Sequence, residues 1–202
     1  MFRHYTELLL AICLLLQAGC GSMPGERQAT TQAHTITPVL QADYLEAITL
    51  MQKHEWQAAQ QQLSPITVSH PQLSGPWLNL GITYLQLGDG SAAEAAFRRA
   101  LDANPGNIEA CNQLGVLSRR AGNLDEARRF YEAALLHDPD YPDAHWNLGI
   151  LHDQYLSNPQ LALQHYERYR AITGSGDPQL QGWINELRLH DRAETMTAKV
   201  KP

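Results

Sequence analysis

The chain has few cysteines, few basic residues and no long apolar run. Three cysteines in 202 residues, Cys13, Cys20 and Cys111, are too few and too scattered for a disulfide framework or a zinc site. Fifteen Lys and Arg stand against twenty-one Asp and Glu, a net charge of −6, which is the wrong sign for neutralising a row of phosphates. Nucleic acid is therefore not an expected partner. The apolar run Leu8 to Leu16 covers nine residues, far short of the roughly 20 a membrane-spanning helix needs. No serine elbow, phosphate-binding glycine loop or spaced carboxylate pair occurs. His145 and His152 are seven residues apart, about 10.5 Å along a helix, too far to share a metal. With His165 they are assigned to packing rather than ligation. Asp138, Asp140 and Asp143 lack the spacing of a calcium loop and are expected at helix caps. These exclusions point to a protein without enzymatic activity, metal or cofactor.

The N-terminus has the form of an export signal. Arg3 supplies a basic start, Leu8 to Leu16 an apolar core, and "LLLQAGCGS" a small-residue cleavage region. This segment resembles a bacterial lipoprotein precursor, with Ala18 and Gly19 before Cys20 and with Gln17 where that family usually has Leu. The resemblance implies that residues 1–19 are removed and that Cys20 is acylated on sulfur and on its new amino terminus. More than one acyl chain gives stable anchoring. With Gly21 rather than Asp after the cysteine, the implied location is the periplasmic face of the outer membrane. Cleavage by the ordinary signal peptidase, leaving a soluble periplasmic protein, is the alternative. Residues 20–39 are rich in Gln, Thr, Gly and Pro and read as the anchor and a flexible tether, a coil with ends about 23 Å apart. Removal of the leader leaves Cys111 as the one thiol beyond the anchor.

The rest of the chain repeats itself. "NLGI" occurs at Asn79 to Ile82 and again at Asn147 to Ile150, with "QLGV" at Gln113 to Val116 midway, 34 residues from each. Units 74–107 and 108–141 align Trp77 with Cys111, Leu80 with Leu114, Gly81 with Gly115, Ala93 with Ala127, Phe97 with Tyr131, Ala100 with Ala134 and Pro105 with Pro139. This pattern and period resemble the tetratricopeptide family. The fold implied is all-α, a right-handed α-solenoid of stacked antiparallel helix pairs. Within each pair, Gly81 or Gly115 is expected to face Ala93 or Ala127 so that the two axes approach. Gly88 and Gly122 are placed at the turns, and the prolines end the second helices.

The frame extends in both directions. Residues 40–73 form a degenerate first unit and 142–175 a fourth, in which "LSNPQ" adds one residue to the turn. Residues 177–191, with Leu180, Trp183, Ile184 and Leu187 on one stripe, read as a capping helix. The repeat domain is thus 40–192, and 193–202 a tail. Because one pair cannot bury its own apolar side, several must stack, which leaves a hollow inner face.

The family resemblance puts the first helix of each unit on that inner face. The groove residues it implies are Tyr44, Ile48 and Met51, then Leu78, Asn79, Ile82 and Leu85, then Asn112, Gln113, Val116, Arg119 and Arg120, and last Trp146, Asn147, Ile150 and Asp153. Asn79, Gln113 and Asn147 form a ladder of amides that serves either a ligand's backbone or neighbouring helices. Trp146 beside Ile150 is the expected aromatic anchor. Arg119 and Arg120 are expected either to clamp a carboxylate or to pair with Asp153 and the helix C-terminus. Arg98, Arg99, Arg128 and Arg129 read as a solvated outer face.

The function expected is that of a scaffold or adaptor, binding one or more envelope proteins in the groove and aiding assembly of a larger complex. The analogy is to the pilotin-like repeat lipoproteins that help secretins assemble. The alternative is a regulatory subunit of a periplasmic enzyme or energy-coupling system, of the cell-wall turnover or TonB type.

Overall fold

The computed structural model describes residues 37–200. The leader, Cys20 and the tether up to residue 36 lie outside them, as do residues 201–202 of the expected tail. Among the described residues the chain forms nine α-helices and no strand. They run α1 Pro38–Gln52, α2 Trp56–Ser69, α3 Ser74–Gln86, α4 Gly90–Ala103, α5 Ile108–Arg120, α6 Leu124–His137, α7 Pro142–Ile150, α8 Pro159–Thr173 and α9 Pro178–Val200. Successive pairs α1–α2, α3–α4, α5–α6 and α7–α8 are the four units, and each stacks on the next. The last helix runs to Val200 rather than ending at Asp191, so much of the expected tail is helical.

Local chemistry sets the helix starts. Thr37, Asp89, Asn107 and Asn158 each accept a hydrogen bond at the side-chain oxygen from the backbone N–H three residues on, satisfying a donor that the first turn leaves open. Between the helices of a pair the chain needs one left-handed residue. Gly88 and Gly122 supply it at φ 82°, as expected, whereas His54 and Ser157 hold the same place at φ 60° and 50°. An L side chain there costs about 1–2 kcal/mol. Ser157→Gly is expected to raise the unfolding free energy by about 1 kcal/mol, read as a higher urea midpoint; an unchanged or lower midpoint counts against strain at this turn.

Within the second, third and fourth pairs the glycine meets a ring rather than the expected alanine, and the first pair has Ala47 at this slot. A Cβ on Gly81 would fall 2.5 Å from the Phe97 ring, and one on Gly115 or Gly149 would overlap the Tyr131 or Tyr166 ring. The three rings are fully buried. They lie where the missing side chain would be, so the first-helix backbone itself forms the wall of each aromatic slot. Ala93 and Ala127 are buried in the same cores, but the close approach belongs to Phe97 and Tyr131.

The extra residue of the fourth unit is taken up earlier than expected. Leu151–Tyr155 forms a π-helical turn that continues α7, with the Leu156 N–H donating to the Leu151 carbonyl at 3.0 Å. A π turn absorbs one inserted residue while the hydrogen-bond ladder continues, which restores the register of Ala162 and Tyr166. On α9, Asp177 caps the first turn by accepting from the Gln179 N–H. Leu180, Ile184 and Leu187 are buried against Ala162 and Tyr166, closing that end of the stack.

Candidate partner-binding groove

First helices of successive units touch, α1 with α3 and α5 with α7, and side-chain bonds tie them together. Asn79 donates through Nδ2 to the Tyr44 hydroxyl at 2.7 Å, and Asn147 donates to Asn112 Oδ1 at 2.9 Å. Asn112 and Asn147 are buried, 4% and 8% exposed. Of the two uses left open for the amides, Asn79 and Asn147 each commit one N–H to the neighbouring helix, which leaves the other N–H and the oxygen of each amide. Gln113 is half-buried and makes no such bond.

The apolar members fare differently. Ile48, Leu78, Ile82, Val116 and Ile150 are each half-buried. Leu78 and Ile82 pack beneath on the core of the second unit, Val116 on that of the third and Ile150 on that of the fourth. Each keeps part of its apolar surface in solvent.

Trp146 is not a free-standing anchor. Its ring lies 5.7 Å from Tyr166, 5.0 Å from Tyr169 and 5.8 Å from Trp183. Trp183 comes from the capping helix, so the aromatic at this groove position joins α7, α8 and α9. Arg119 makes no ion pair with Asp153. Its guanidinium lies 3.5 Å from the hydroxyls of Tyr131 and Tyr155 and stands over the Tyr155 ring. Asp153 instead accepts from the Tyr166 hydroxyl at 3.4 Å. Arg120 is exposed. The outer arginines lie as expected: Arg98 pairs with Glu94 and Glu126, Arg99 with Asp102, and Arg128 with Asp125 and Glu132, all in the open where such pairs contribute little.

The three histidines grouped in the sequence come together in the structure. Through the π turn His152 comes to lie parallel to His165, ring centres 5.8 Å apart, and His165 Nδ1 is 3.0 Å from His145 Nδ1. His145 Nε2 is 3.0 Å from the Pro139 carbonyl and so carries its proton, which makes His145 Nδ1 the acceptor and His165 Nδ1 the donor. Burial, then the charges of His145 and His152, push His165 down to about 4. Burial also lowers His152, helped by Arg128 and opposed by Glu132. These shifts hold His165 and His152 neutral near pH 7. Among the described residues no three His, Cys, Asp or Glu are placed to hold a metal ion. Around Pro139, Asp138 accepts from the Asp140 N–H, Asp140 pairs with Arg168, and Asp143 accepts from the Tyr141 hydroxyl. Cys111 is buried, which raises its thiol pKa and leaves it unreactive at neutral pH.

Two models of the tetratricopeptide repeat match residues 44–108 and 84–148, together more than half of the chain. The chain belongs to the tetratricopeptide-repeat family. Among curated relatives, human tetratricopeptide repeat protein 8 is 35% identical over 78 residues, 39% of this chain and 14% of that protein. Cellulose synthase operon protein C of Komagataeibacter xylinus is 42% identical over 70 residues, 35% of this chain and 5% of that protein. The chain thus spans a small fraction of the curated relatives it matches. Among solved structures, one described as the functional characterisation of Pseudomonas aeruginosa pilF superposes with a TM-score of 0.65 at 18% identity, over 76% of this chain and 69% of that one. A structure of MamA gives 0.63 at 19% identity, over 76% and 88%. YrrB, described as a tetratricopeptide protein with an unusual peptide-binding site, gives 0.57 at 23%, over 75% and 73%. These likenesses bear on the fold. Proteins of this family generally mediate protein–protein interactions, and their fold is typically a scaffold rather than an enzyme.

Proposed function

We propose that this tetratricopeptide-repeat protein is an adaptor, held by lipid on Cys20 at the periplasmic face of the outer membrane. Its inner face takes an extended segment or helix of an envelope partner and aids assembly of a larger complex, in the manner of a pilotin. The observation that carries the groove is the row Ile48, Leu78, Ile82, Val116 and Ile150, apolar and half-exposed across all four units. Side chains placed this way gain by being covered, at about 25 cal/mol per Å² of apolar surface. The anchoring rests on the sequence around Cys20.

The test pairs fractionation with capture. The wild-type chain is expected to sediment with outer membrane and Cys20→Ser to be released. From detergent-solubilised envelope, the wild type is expected to retain a defined partner that the Ile82→Asp, Val116→Asp double variant loses while keeping its helical circular dichroism. Recovery of a secretin supports the assembly role, whereas a cell-wall hydrolase or energy-coupling component redirects the proposal to a regulatory subunit. Equal capture by both proteins removes the groove from the interaction.

A further inference from the structure

Adjoining the groove at Tyr44, the first two units form an open hollow of about 480 Å³ at the end of the helices where α1 and α3 begin and α4 stops. Its walls are largely apolar: Leu40 and Tyr44 from α1, Ile66 from α2, Leu73 and Pro76 at the start of α3, and Ala103 at the end of α4. The volume lies in the range of sites that take a ligand group, and it accommodates a leucine or phenylalanine side chain. The Asn107 amide donates to the Ser74 hydroxyl, which in turn donates to the Ala100 carbonyl, so the rim is braced on the α4 side.

Two carboxylates lie near the opening, Asp43 on α1 and Glu109 on α5. Asp43 adjoins Tyr44 and borders a second hollow that shares Leu40 and Ile66 with the cavity. Glu109, on the first turn of α5, is near enough to Tyr44 for its charge to act on the phenol. Asp43 and Glu109 are exposed, and among the described residues neither makes an ion pair. An apolar hole edged by unpaired carboxylates selects against an acidic or wholly polar guest.

We infer that this cavity is a docking site for an extended segment of a partner protein that places one large apolar side chain in the hole, with Lys or Arg beside it facing Asp43 and Glu109. The site lies between repeats, at the edge of the stack, and adds a second point of contact to the groove. The inference rests on the adaptor reading only in taking the partner to be a protein.

The test uses the full chain in mild detergent and fluorescein-labelled peptides, read by fluorescence anisotropy. The probe is Ser-Lys-Lys-Leu-Phe-Lys-Ser-Gly. Its controls have every Lys replaced by Glu, or Leu and Phe replaced by Ser. The probe is expected to bind at least about tenfold more tightly than either control. Its affinity is expected to fall about fivefold between about 50 and about 300 mM salt. Glu109→Lys, which reverses a rim charge on the surface, and Ala103→Phe, which fills the hole, are each expected to weaken it about fivefold. Asp125→Lys on the outer face leaves it unchanged. Equal binding of all three peptides, no binding of the probe, or indifference to both cavity variants overturns the site. If the Ile82→Asp, Val116→Asp protein loses the probe while the cavity variants keep it, the peptide belongs to the groove. The docking site then falls and the adaptor reading stands.

Discussion

Replacing Gly115 by leucine is expected to abolish cooperative unfolding. A Cβ at this position already comes closer than 3.0 Å to three atoms of the Tyr131 ring, and that ring is fully buried with no room to withdraw. Overpacking a filled core by a methylene or so costs about 1–3 kcal/mol. Leucine adds a branched chain beyond the overlapping Cβ, at a contact that holds α5 to α6. A domain's whole stability is about 5–15 kcal/mol, so the third unit opens, and with it the stacking surfaces of the second and fourth. Gly115→Ala is expected to lose about 2 kcal/mol and remain cooperative. Pairing it with Tyr131→Leu recovers part of that loss if the clash is with the ring. Gly90→Ala is the control, because a Cβ there meets nothing within 4 Å. Urea denaturation followed by circular dichroism measures all four. A Gly115→Leu protein as stable as Gly90→Ala would falsify the slot.

The second large effect is with pH, and its sign follows from the histidines. His165 is held at about 4 in the fold, below the usual histidine value of 6.5. Between those two values the unfolded chain binds a proton that the folded chain refuses, so stability is intact above about pH 6.5, falls as pH drops through that value, and stops falling near pH 4. His152, also lowered, adds to the loss in the same direction. By pH 5 the His165 contribution is about 1–2 kcal/mol, allowing for the ring's partial exposure. The charged groups facing the cluster from α6 are Arg128, which opposes protonation of His152, and Glu132, which favours it. Urea midpoints of wild type are expected to decline from about pH 7 to about pH 5, a window above most carboxylate titration. His165→Phe, which keeps a flat ring against His152, is expected to flatten that decline. Parallel curves for the two proteins would remove His165 as its source.

Much of the architecture was legible because a repeat writes the same packing problem several times. Leu80, Leu114 and Leu148 recur, as do Phe97, Tyr131 and Tyr166, and in the structure every one of these is buried. A period of 34 residues specifies helix pairs that must stack, since a single pair leaves its apolar side in water. The candidate site was less legible. Periodicity assigns a residue to a face but does not say what else arrives at that face. Trp146 occupies an inward slot, yet Trp183 from a helix outside the repeat covers it. Asn147 has the same pattern position as Asn79, but one bonds Asn112 and the other Tyr44, because the preceding units present different groups.

Sequence alone thus determined the helix pairs, their number and the turns at Gly88 and Gly122, all consequences of local pattern and of the need to bury one stripe per helix. Tertiary structure alone decided that each core glycine meets an aromatic ring, that the inserted residue becomes a π turn, how the three histidines contact one another, and that a hollow opens between the first two units. Each of these depends on distances between elements far apart in the chain, set by how whole helices seat on one another and not by the order of residues within any one of them.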